Sequence, residues 1–441
     1  MPYSPSSASA AGRRGASTAA RCAMGSGSGP ATGSLGGSGR GMLDAPPAGM
    51  GGESFGCEQL PHEVALAESY EKLGVPIGEG TYGTVWRAQC RRTGQQVAMK
   101  KVVLKSEREG FPVTAIREVR ALRRLSHPNI VCLVDVCAAL PAPGTSNAVG
   151  DIYLIFEYAP SDLTGLLAYR KQKLKPPEIK CLVKQLANAL DYCHMQQIMH
   201  RDLKPSNVLI MANGQLKLCD FGLSRTFEGA GNYSTRVITL WYRPPELLLG
   251  ARYYDASVDV WSAGCIFGEL LAGAALFPES SEGKVFQKIW ERCGAHTEDA
   301  WPQELRILPQ WGKLAPRSDS TLPKRDIFSD LGAKHGQVAV DLLRSTLQLD
   351  PNLRISAADI LKHRFFSEEP WACQPSEIKM NPHLSCHELD VKRHREKLRE
   401  EKEAQRLQGK RGRVDGGMLG GSAREENDGG RAASPKRPRA T

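Results

Sequence analysis

The sequence predicts an α+β protein with a strand-rich first part, a helix-rich second part and polar tails at both ends. Three observations support this. Strand-like runs recur between residues 77 and 158, a helical apolar stripe follows over 180–195, and Gly-, Ser- or charge-rich stretches lie at both ends. A chain of 441 residues with 41% hydrophobic residues has room for two or three domains, or for one large two-lobed domain with tails.

Charge and cysteine usage narrow the class of protein. The formal net charge of +10 favours acidic partners such as nucleic acid, although direct nucleic-acid binding stays open. The 12 cysteines include no Cys-x-x-Cys pair, so we expect reduced thiols in a nuclear or cytosolic compartment. No apolar run approaches the length of a membrane span, and we therefore expect no membrane partner.

The first segment, residues 1–66, is rich in Gly, Ala and Ser. It cannot bury enough apolar surface to offset its conformational entropy, so we expect a disordered low-complexity extension. It contains four arginines but no acidic residue before Asp44. A targeting peptide is therefore the alternative interpretation.

A glycine-rich run, Ile77–Val85, opens the folded region. Three glycines at this spacing let the backbone lie close to phosphate groups, because no Cβ intervenes. A strand, Trp86–Ala88, follows instead of a helix, which argues against a dinucleotide-binding fold. The residues that we expect around the phosphates are Ile77, Gly78, Glu79, Gly80, Thr81, Tyr82, Gly83, Thr84 and Val85.

The next elements follow from their apolar periods. A second strand over Gln96–Lys100 carries a Val-Ala-x-Lys sequence, and the stretch Phe111–Leu122 has a helical stripe that includes Ile116 and Val119. Beyond it we expect strands near 130–136 and over 151–158, joined by a Pro- and Gly-containing loop, and then a helix over 180–195.

A hairpin in the middle of the chain brings oxygen ligands together. Asn213-Gly214 is a strong two-residue turn between the apolar runs 208–211 and 216–219, and that turn predicts that Asn207 lies opposite Asp220. Opposed residues lie roughly 5 Å apart. An amide oxygen and a carboxylate at that distance are suited to Mg²⁺. A further carboxylate, Asp202, stands five residues before Asn207.

Taken together, these motifs resemble those of protein kinases. The loop from His200 to Asn207 matches H-R-D-x-x-x-x-N, and Asp220-Phe221-Gly222 matches D-F-G. The resemblance implies a bilobal eukaryotic kinase fold over 70–366, with a small β-rich N-lobe that carries one regulatory helix (about 70–158) and a larger, mainly helical C-lobe (about 159–366). It leaves 367–441 as a charged and largely disordered tail.

Three stretches point to a subclass. Gly110–Glu118, Asp162–Leu166 and Arg236–Gly250 resemble the transcriptional branch of cyclin-dependent kinases, which includes the plant C-type kinases and the kinase subunit of positive transcription elongation factor b. The resemblance implies a T- or K-like cyclin bound through the helix Gly110–Leu125. It also implies phosphorylation of Ser or Thr followed by Pro on the repeats of the RNA polymerase II C-terminal domain, in the nucleus or also in the cytoplasm.

The resemblance also implies roles for the catalytic residues. Asp202 orients a substrate hydroxyl and accepts its proton, and Lys204 stabilises the transferring phosphoryl group of ATP. Asn207 is shared between the catalytic loop and the Mg²⁺ site, which Asp220 completes.

The nucleotide contacts come from both lobes. Lys100 contacts the α- and β-phosphates and pairs with Glu118 when the regulatory helix is swung in. The further nucleotide-binding residues implied are Phe156, Glu157, Ala159 and Asp162. For Asp162, the N-cap of the next helix is a compatible role.

Regulation is implied at the activation segment, which the resemblance places at Leu223 to Pro245. By register, Ser234 takes the place of the usual phospho-threonine, and Thr235 follows it. The resemblance implies that a phosphate there would be received by three arginines, Arg117, Arg201 and Arg225. Thr81 and Tyr82 match an inhibitory phosphorylation pair, or else they are only structural.

Further residues are implied to be structural. Glu246 pairs with Arg354, and Asp259 binds the backbone around His200 and Arg201.

In the tail, 385–392 resembles a Ser-His-Glu segment of plant C-type and fungal elongation kinases. The charged stretch 388–408 lacks an apolar stripe, so we expect a solvated helix or disorder. Residues 435–439 are a candidate nuclear-import signal.

Three alternatives remain. A cell-cycle cyclin-dependent kinase shares all of this chemistry. A mitogen-activated kinase is disfavoured because the activation segment lacks Thr-x-Tyr. A pseudokinase scaffold predicts the loss of at least one of the core residues, but all are present: Lys100, Asp202, Asn207 and Asp220.

Overall fold

The structure is a computed structural model, and it describes nine stretches of the chain. They are residues 69–80, 83–103, 111–139, 150–170, 173–227, 232–293, 297–315, 326–380 and 386–415. Several predictions fall outside these residues: the extension 1–66, the pair Thr81 and Tyr82, and the basic cluster 435–439.

The first part is a five-stranded antiparallel sheet with the order β1-β2-β3-β5-β4. The alternation of side chains on β3 separates two environments. Val97 and Met99 are buried in a core on one face, while Ala98 and Lys100 line a cavity on the other. The strands are β1 (Tyr70–Gly80), β2 (Gly83–Cys90), β3 (Gln96–Lys101), β4 (Leu133–Ala138) and β5 (Ile152–Glu157).

A helix, α1 (Val113–Leu122), accompanies this sheet. Its buried face carries Ala115, Glu118 and Leu122 at the spacing of one helical face. A buried glutamate needs a partner, because an unpaired charge in the interior is costly. Among the described residues the helix is shorter than the predicted Gly110–Leu125, of which Gly110 lies outside them, and its cyclin-binding role stays a prediction.

The second part is mainly helical. Its central helices pack around fully buried aromatic side chains, among them Trp261, Phe267 and Phe277. The helices are α2 (Leu163–Tyr169), α3 (Pro176–Met195), α4 (Pro245–Leu248), α5 (Ser257–Ala272), α6 (Glu282–Arg292), α7 (Gln303–Arg306), α8 (Trp311–Leu314), α9 (Ile327–His335), α10 (Gln337–Thr346), α11 (Ala357–Lys362) and α12 (Glu388–Asp415). None of the described helices is both long and apolar enough to cross a membrane. The predicted α+β, two-lobed architecture is confirmed.

Short strands between the two parts hold the segments that we predicted to be catalytic. β6 (Ser161–Asp162), β8 (Val208–Ile210) and β9 (Leu216–Leu218) form a three-stranded sheet, and β7 (Ile198–Met199) pairs with β10 (Arg225–Thr226). A turn of 3₁₀ helix runs into β8, and another follows β9.

The predicted hairpin is present, but its register differs by one residue. Leu209 pairs with Lys217, and Met211 and Gln215 close a three-residue loop in which Gly214 has a φ of 76°. A type I turn followed by a left-handed glycine adds one residue to the loop that we predicted. Asn207 therefore faces Cys219, whose N–H donates to the Asn207 carbonyl over 3.0 Å, and Asp220 lies one residue further on.

Two stretches of the tail, residues 367–380 and 386–415, lie among the residues that the structure describes. After α11 the chain packs a short 3₁₀ turn, Pro375–Glu377, against the hairpin loop, where a Cβ on Gly214 would lie 1.8 Å from the Pro375 carbonyl oxygen. Helix α12 then begins at Glu388, next to α2 and β1. Apolar residues at the start of α12, with Val391 buried, make this docking favourable.

Candidate active site

A cavity of about 400 Å³ lies against the face of β3 that carries Lys100. It collects almost all of the described residues that we predicted to act in catalysis or to bind the nucleotide or metal: Ile77, Gly78, Glu79, Gly80, Gly83, Val85, Lys100, Glu118, Phe156, Glu157, Ala159, Asp162, Asp202, Lys204, Asn207 and Asp220. Thr84 is the exception among them. Because side chains alternate along a strand, Thr84 faces away from the side that Val85 presents.

Two carboxylates hold the cavity lysine. Lys100 Nζ lies 2.8 Å from Glu118 Oε2 and 3.1 Å from Asp220 Oδ1. Burial disfavours the charged amine, but the two carboxylates more than offset it and raise the pKa of Lys100. The pair of Lys100 with Glu118, which we predicted for a swung-in helix, is confirmed as a contact.

The predicted catalytic loop, His200 to Asn207, is fixed by a buried carboxylate on α5. Asp259 accepts the backbone N–H groups of His200 and Arg201, each over 2.8 Å, as predicted. Arg201 and Asp220 both have φ near 64°, a left-handed conformation that costs roughly 1–2 kcal/mol for such residues. Backbone in this conformation persists where surrounding contacts enforce it, and here Asp259 supplies those contacts at Arg201.

Asp202 is held on both oxygens. Thr239 Oγ1 donates to its Oδ1 over 2.9 Å, while Asn207 Nδ2 and Lys204 Nζ lie 3.1 and 3.0 Å from its Oδ2. The carboxylate raises the pKa of Lys204, although burial opposes this, so the lysine keeps its charge. These contacts orient Asp202 toward the cavity that it lines.

The residues fit a divalent cation. The Asn207 amide nitrogen is engaged by Asp202, which leaves the amide oxygen as its remaining polar atom. Lys100 lowers the pKa of Asp220 against the effect of burial, so this group is an ionised carboxylate in the same cavity. One carboxylate and one amide oxygen, with room for phosphate oxygens, form a typical magnesium donor set.

The C-terminal tail forms one wall of the cavity, which we did not predict. His387, Glu388, Leu389 and Lys392 all line it. His387 Nε2 lies 3.1 Å from the Ala159 carbonyl oxygen. Burial lowers the pKa of His387, so a neutral ring with a proton on Nε2 is suited to donate this bond.

The tail also reaches β1. Arg393 Nη1 donates to the Pro76 carbonyl over 2.9 Å, and its Nη2 lies 4.0 Å from Glu79 Oε1. At the opposite end of the docked segment, a Cβ on Gly165 would lie 1.7 Å from the Cys386 carbonyl oxygen. Close approach of the tail to α2 therefore requires glycine at this position.

The activation segment is anchored at its C-terminal end. Arg354 forms two hydrogen bonds with the Glu246 carboxylate, at 2.9 and 3.1 Å, inside the protein. This predicted pair is confirmed.

Ser234 is exposed and Thr235 is partly buried. Arg201 is buried and reaches the activation segment, whereas Arg225 is exposed on β10 and Arg117 lies partly buried on α1.

Sequence reasoning missed two groups of site residues. Thr239 lay inside a stretch that we used only to assign a subclass. The tail residues lay in a stretch dominated by charge, although Leu389 and Val391 were an apolar signal beside His387 and Glu388.

Comparisons with known proteins agree with this geometry. A family model described as "Protein kinase domain" matches residues 71–366. Cyclin-dependent kinase C-1 of Oryza sativa subsp. japonica is 42% identical over 353 residues, which cover 77% of this chain and 66% of the relative. Cyclin-dependent kinase 9 of Homo sapiens is 41% identical over 324 residues, which cover 72% of this chain and 85% of the relative.

A solved structure aligns over a similar span. It is a chain from a structure of the CAK complex from Chaetomium thermophilum bound to ATP-gamma-S, with a TM-score of 0.62 and 35% identity, and the alignment covers 70% of this chain and 95% of that chain. The kinase model spans most of the chain, and the relatives are about 40% identical over more than 320 residues. The chain therefore belongs to the protein kinase family. Within it, the chain belongs to the cyclin-dependent serine/threonine kinases, in the group that includes the plant cyclin-dependent kinases C and cyclin-dependent kinase 9.

Proposed function

We propose that this protein transfers the γ-phosphoryl group of ATP to serine or threonine followed by proline in protein substrates. The observation that carries the proposal is Asp202, held by Thr239, Lys204 and Asn207 in the same cavity as the Lys100–Glu118 pair. A carboxylate fixed in this way serves as the base that accepts the proton of the attacking hydroxyl.

The other residues position the nucleotide. Lys100 contacts the α- and β-phosphates, and Lys204 neutralises charge on the phosphoryl group in transfer. Asn207 and Asp220 would hold Mg²⁺, which, when bound, supplies positive charge to the phosphate oxygens. The glycine-rich strand pair β1–β2 covers the phosphates through Gly78, Gly80 and Gly83, and proximity and electrostatics supply the rate enhancement.

The hinge, residues 157–159 at the end of β5, and the tail together receive the base and ribose. The Ala159 carbonyl already accepts from His387, and the Glu157 N–H donates to the Cys132 carbonyl over 3.3 Å. The Glu157 carbonyl and the Ala159 N–H are therefore the groups that we assign to the adenine edge, with Phe156 as a wall. Glu388 and Lys392 lie where the open end of the nucleotide would be, beside Asp162.

Substrates and partners follow from the family. We propose a T- or K-like cyclin bound at α1, nuclear action, and the repeats of the RNA polymerase II C-terminal domain as the main substrate. Activation is proposed to require phosphate on Ser234, received by Arg117, Arg201 and Arg225. The relatives carry cyclin-dependent kinase names that are consistent with this assignment.

To test this proposal, the full chain is purified from its own cells and the bound cyclin is identified by mass spectrometry. Heptad-repeat polymerase peptides and histone H1 are then compared as substrates of the purified complex. Preferential phosphorylation of the heptad peptides, with a T- or K-like cyclin present, supports the proposal. Preference for histone H1 would instead favour a cell-cycle kinase, and no transfer to either would favour a scaffold.

A further inference from the structure

A tyrosine outside the catalytic loop joins that loop to the activation segment. Arg201 Nη1 donates to Tyr254 Oη over 2.9 Å, and Tyr254 Oη donates to the Ser234 carbonyl oxygen over 2.8 Å. One hydroxyl thus accepts from the arginine and donates to the backbone of the residue that we propose for phosphorylation. Tyr254 lies between α4 and α5, on the helical part of the protein.

A second aromatic ring completes the contact. The rings of Tyr233 and Tyr254 lie 5.1 Å apart at an interplanar angle of 49°, and the Arg201 guanidinium carbon lies 5.8 Å from the Tyr233 ring centroid. Tyr233 is tied at its backbone as well, since its N–H donates to the Arg252 carbonyl over 2.9 Å. Tyr233, directly before Ser234, therefore contacts the helical part of the protein through both its ring and its backbone.

The arginine needs these partners. Arg201 is buried, and its Nε donates to the Leu223 carbonyl over 2.9 Å. Among the residues that the structure describes, no carboxylate lies within 4 Å of its guanidinium nitrogens. A buried guanidinium whose donors lack acceptors is destabilised, and Tyr254 supplies one.

The same segment reaches the catalytic aspartate. Asp202 directly follows Arg201, and Thr239, which binds Asp202, lies five residues after Ser234. The contact between Tyr254 and the Ser234 carbonyl therefore also helps to place Thr239 against the Asp202 carboxylate.

We propose that Tyr254 is a positioning residue that keeps the activation segment docked on Arg201 before Ser234 carries a phosphate. The inference rests on the proposed function, and it adds a residue that acts without touching substrate or nucleotide. Burial raises the pKa of Tyr254 although Arg201 opposes this, so the hydroxyl stays protonated and remains a donor to the Ser234 carbonyl.

A phosphate on Ser234 changes the balance of these contacts. Its oxygens accept charge-assisted hydrogen bonds from arginine, which are stronger than a bond to a neutral phenol. Once phosphate holds Arg201, the segment depends less on Tyr254. The contribution of Tyr254 to turnover is thus expected to be large without the phosphate and small with it.

The test compares Tyr254→Phe with Tyr253→Phe in the full chain bound to its cyclin. Tyr253 is a matched control, because it is the adjacent tyrosine and is 67% exposed. Each variant is assayed after phosphatase treatment and after stoichiometric phosphorylation of Ser234. Amide hydrogen exchange of residues 232–239 is measured on the same samples, and it needs no catalysis.

We expect Tyr254→Phe to lower kcat of the dephosphorylated enzyme roughly ten-fold, the effect of losing one charged hydrogen bond, with KM for ATP unchanged. We expect faster exchange over 232–239 in the same sample, less than about a two-fold effect after phosphorylation, and no effect of Tyr253→Phe. Equal losses in both phosphorylation states, or unchanged exchange, would overturn the positioning role. If the wild-type complex transfers no phosphate, the proposed function fails, while the exchange measurement still decides the role of Tyr254.

Discussion

Glu388 donates its backbone N–H to Asp162 Oδ2 over 2.7 Å, across 226 residues of chain. The other oxygen of the same carboxylate accepts from the Gly165 N–H over 2.8 Å and caps α2. Burial raises the pKa of Asp162 to about 7, and the two backbone N–H groups oppose this shift. A single carboxylate therefore anchors both the first helix after the hinge and the start of the tail helix, at the mouth of the cavity.

The first prediction concerns this anchor. Gly165→Ala would place a Cβ 1.7 Å from the Cys386 carbonyl oxygen, so the tail must move away from the cavity. Because we assign the tail to the open side of the nucleotide, KM for ATP should rise several-fold with little change in kcat. Steady-state kinetics against ATP check this. Gly332→Ala on α9 is the control, since its Cβ would meet nothing closer than 3.5 Å. An unchanged KM for ATP in Gly165→Ala would show that the tail does not contact the nucleotide.

The second prediction concerns pH. Burial lowers the pKa of His387, so the docked tail favours the neutral ring; docking is fully present above the ordinary histidine pKa of 6.5 and is lost as pH falls from that value through the lower pKa of the docked ring. Docking should weaken by at most about ten-fold at pH 5.5, seen as a higher Kd for ATP. Asp162 acts in the opposite direction, because its raised pKa makes protonation favourable near pH 7.

His387→Gln separates the two groups. Glutamine keeps a donor for the Ala159 carbonyl but does not titrate, so its Kd for ATP should lose the rise at low pH. Isothermal titration at pH 7.5 and 5.5 measures this. Identical pH profiles in the variant and the wild type would rule out His387 as the titrating group.

The third prediction concerns Thr239. Removing its hydroxyl leaves Asp202 Oδ1 without its 2.9 Å donor, so Thr239→Val should lower kcat by roughly ten-fold while KM for ATP stays constant. Thr239→Ser retains the hydroxyl and should be close to wild type. If both variants lose the same activity, the hydroxyl is not what matters, and the position acts only through packing.

The fourth prediction concerns stability. Arg354 and Glu246 are both buried, so Arg354→Met leaves an unpaired buried carboxylate and should lower the free energy of unfolding by about 3–5 kcal/mol. Chemical denaturation measures the loss. The pair of Lys362 with Asp359 is exposed at both ends, and Lys362→Met serves as the control, for which we expect no measurable change. Similar losses in the two variants would contradict the role of burial.

Local signals predicted most of the fold and of the site. Val97 and Met99 alternate with Ala98 and Lys100 in the structure, as side chains do along the strand that we predicted over Gln96–Lys100, whereas the nucleotide-binding role of Lys100 came from the resemblance to kinases. The partners of Glu118 and Arg354 lie far away in sequence, and they came from the resemblance to kinases and not from any local pattern.

Two features depended on choices that the sequence leaves open. Asn213-Gly214 is compatible with a two-residue loop or with a three-residue loop that has glycine in the left-handed position, and the structure has the second. The tail helix has too much charge for its apolar start to register as a docking signal. The contacts of the tail with Asp162 and Ala159 are made by the backbone N–H of Glu388 and the side chain of His387. Such contacts produce no apolar periodicity in the sequence.

The most direct measurement follows radioactive phosphate from γ-labelled ATP into a heptad-repeat peptide, using the cyclin-bound full chain and its Asp202→Asn variant. Asparagine preserves the shape of the side chain but cannot accept the proton, so the variant should lose transfer by two orders of magnitude or more while its Kd for ATP stays near that of the wild type. Transfer by Asp202→Asn at the rate of the wild-type enzyme, or no transfer by the wild-type complex itself, would contradict the catalytic role that we assign to this cavity.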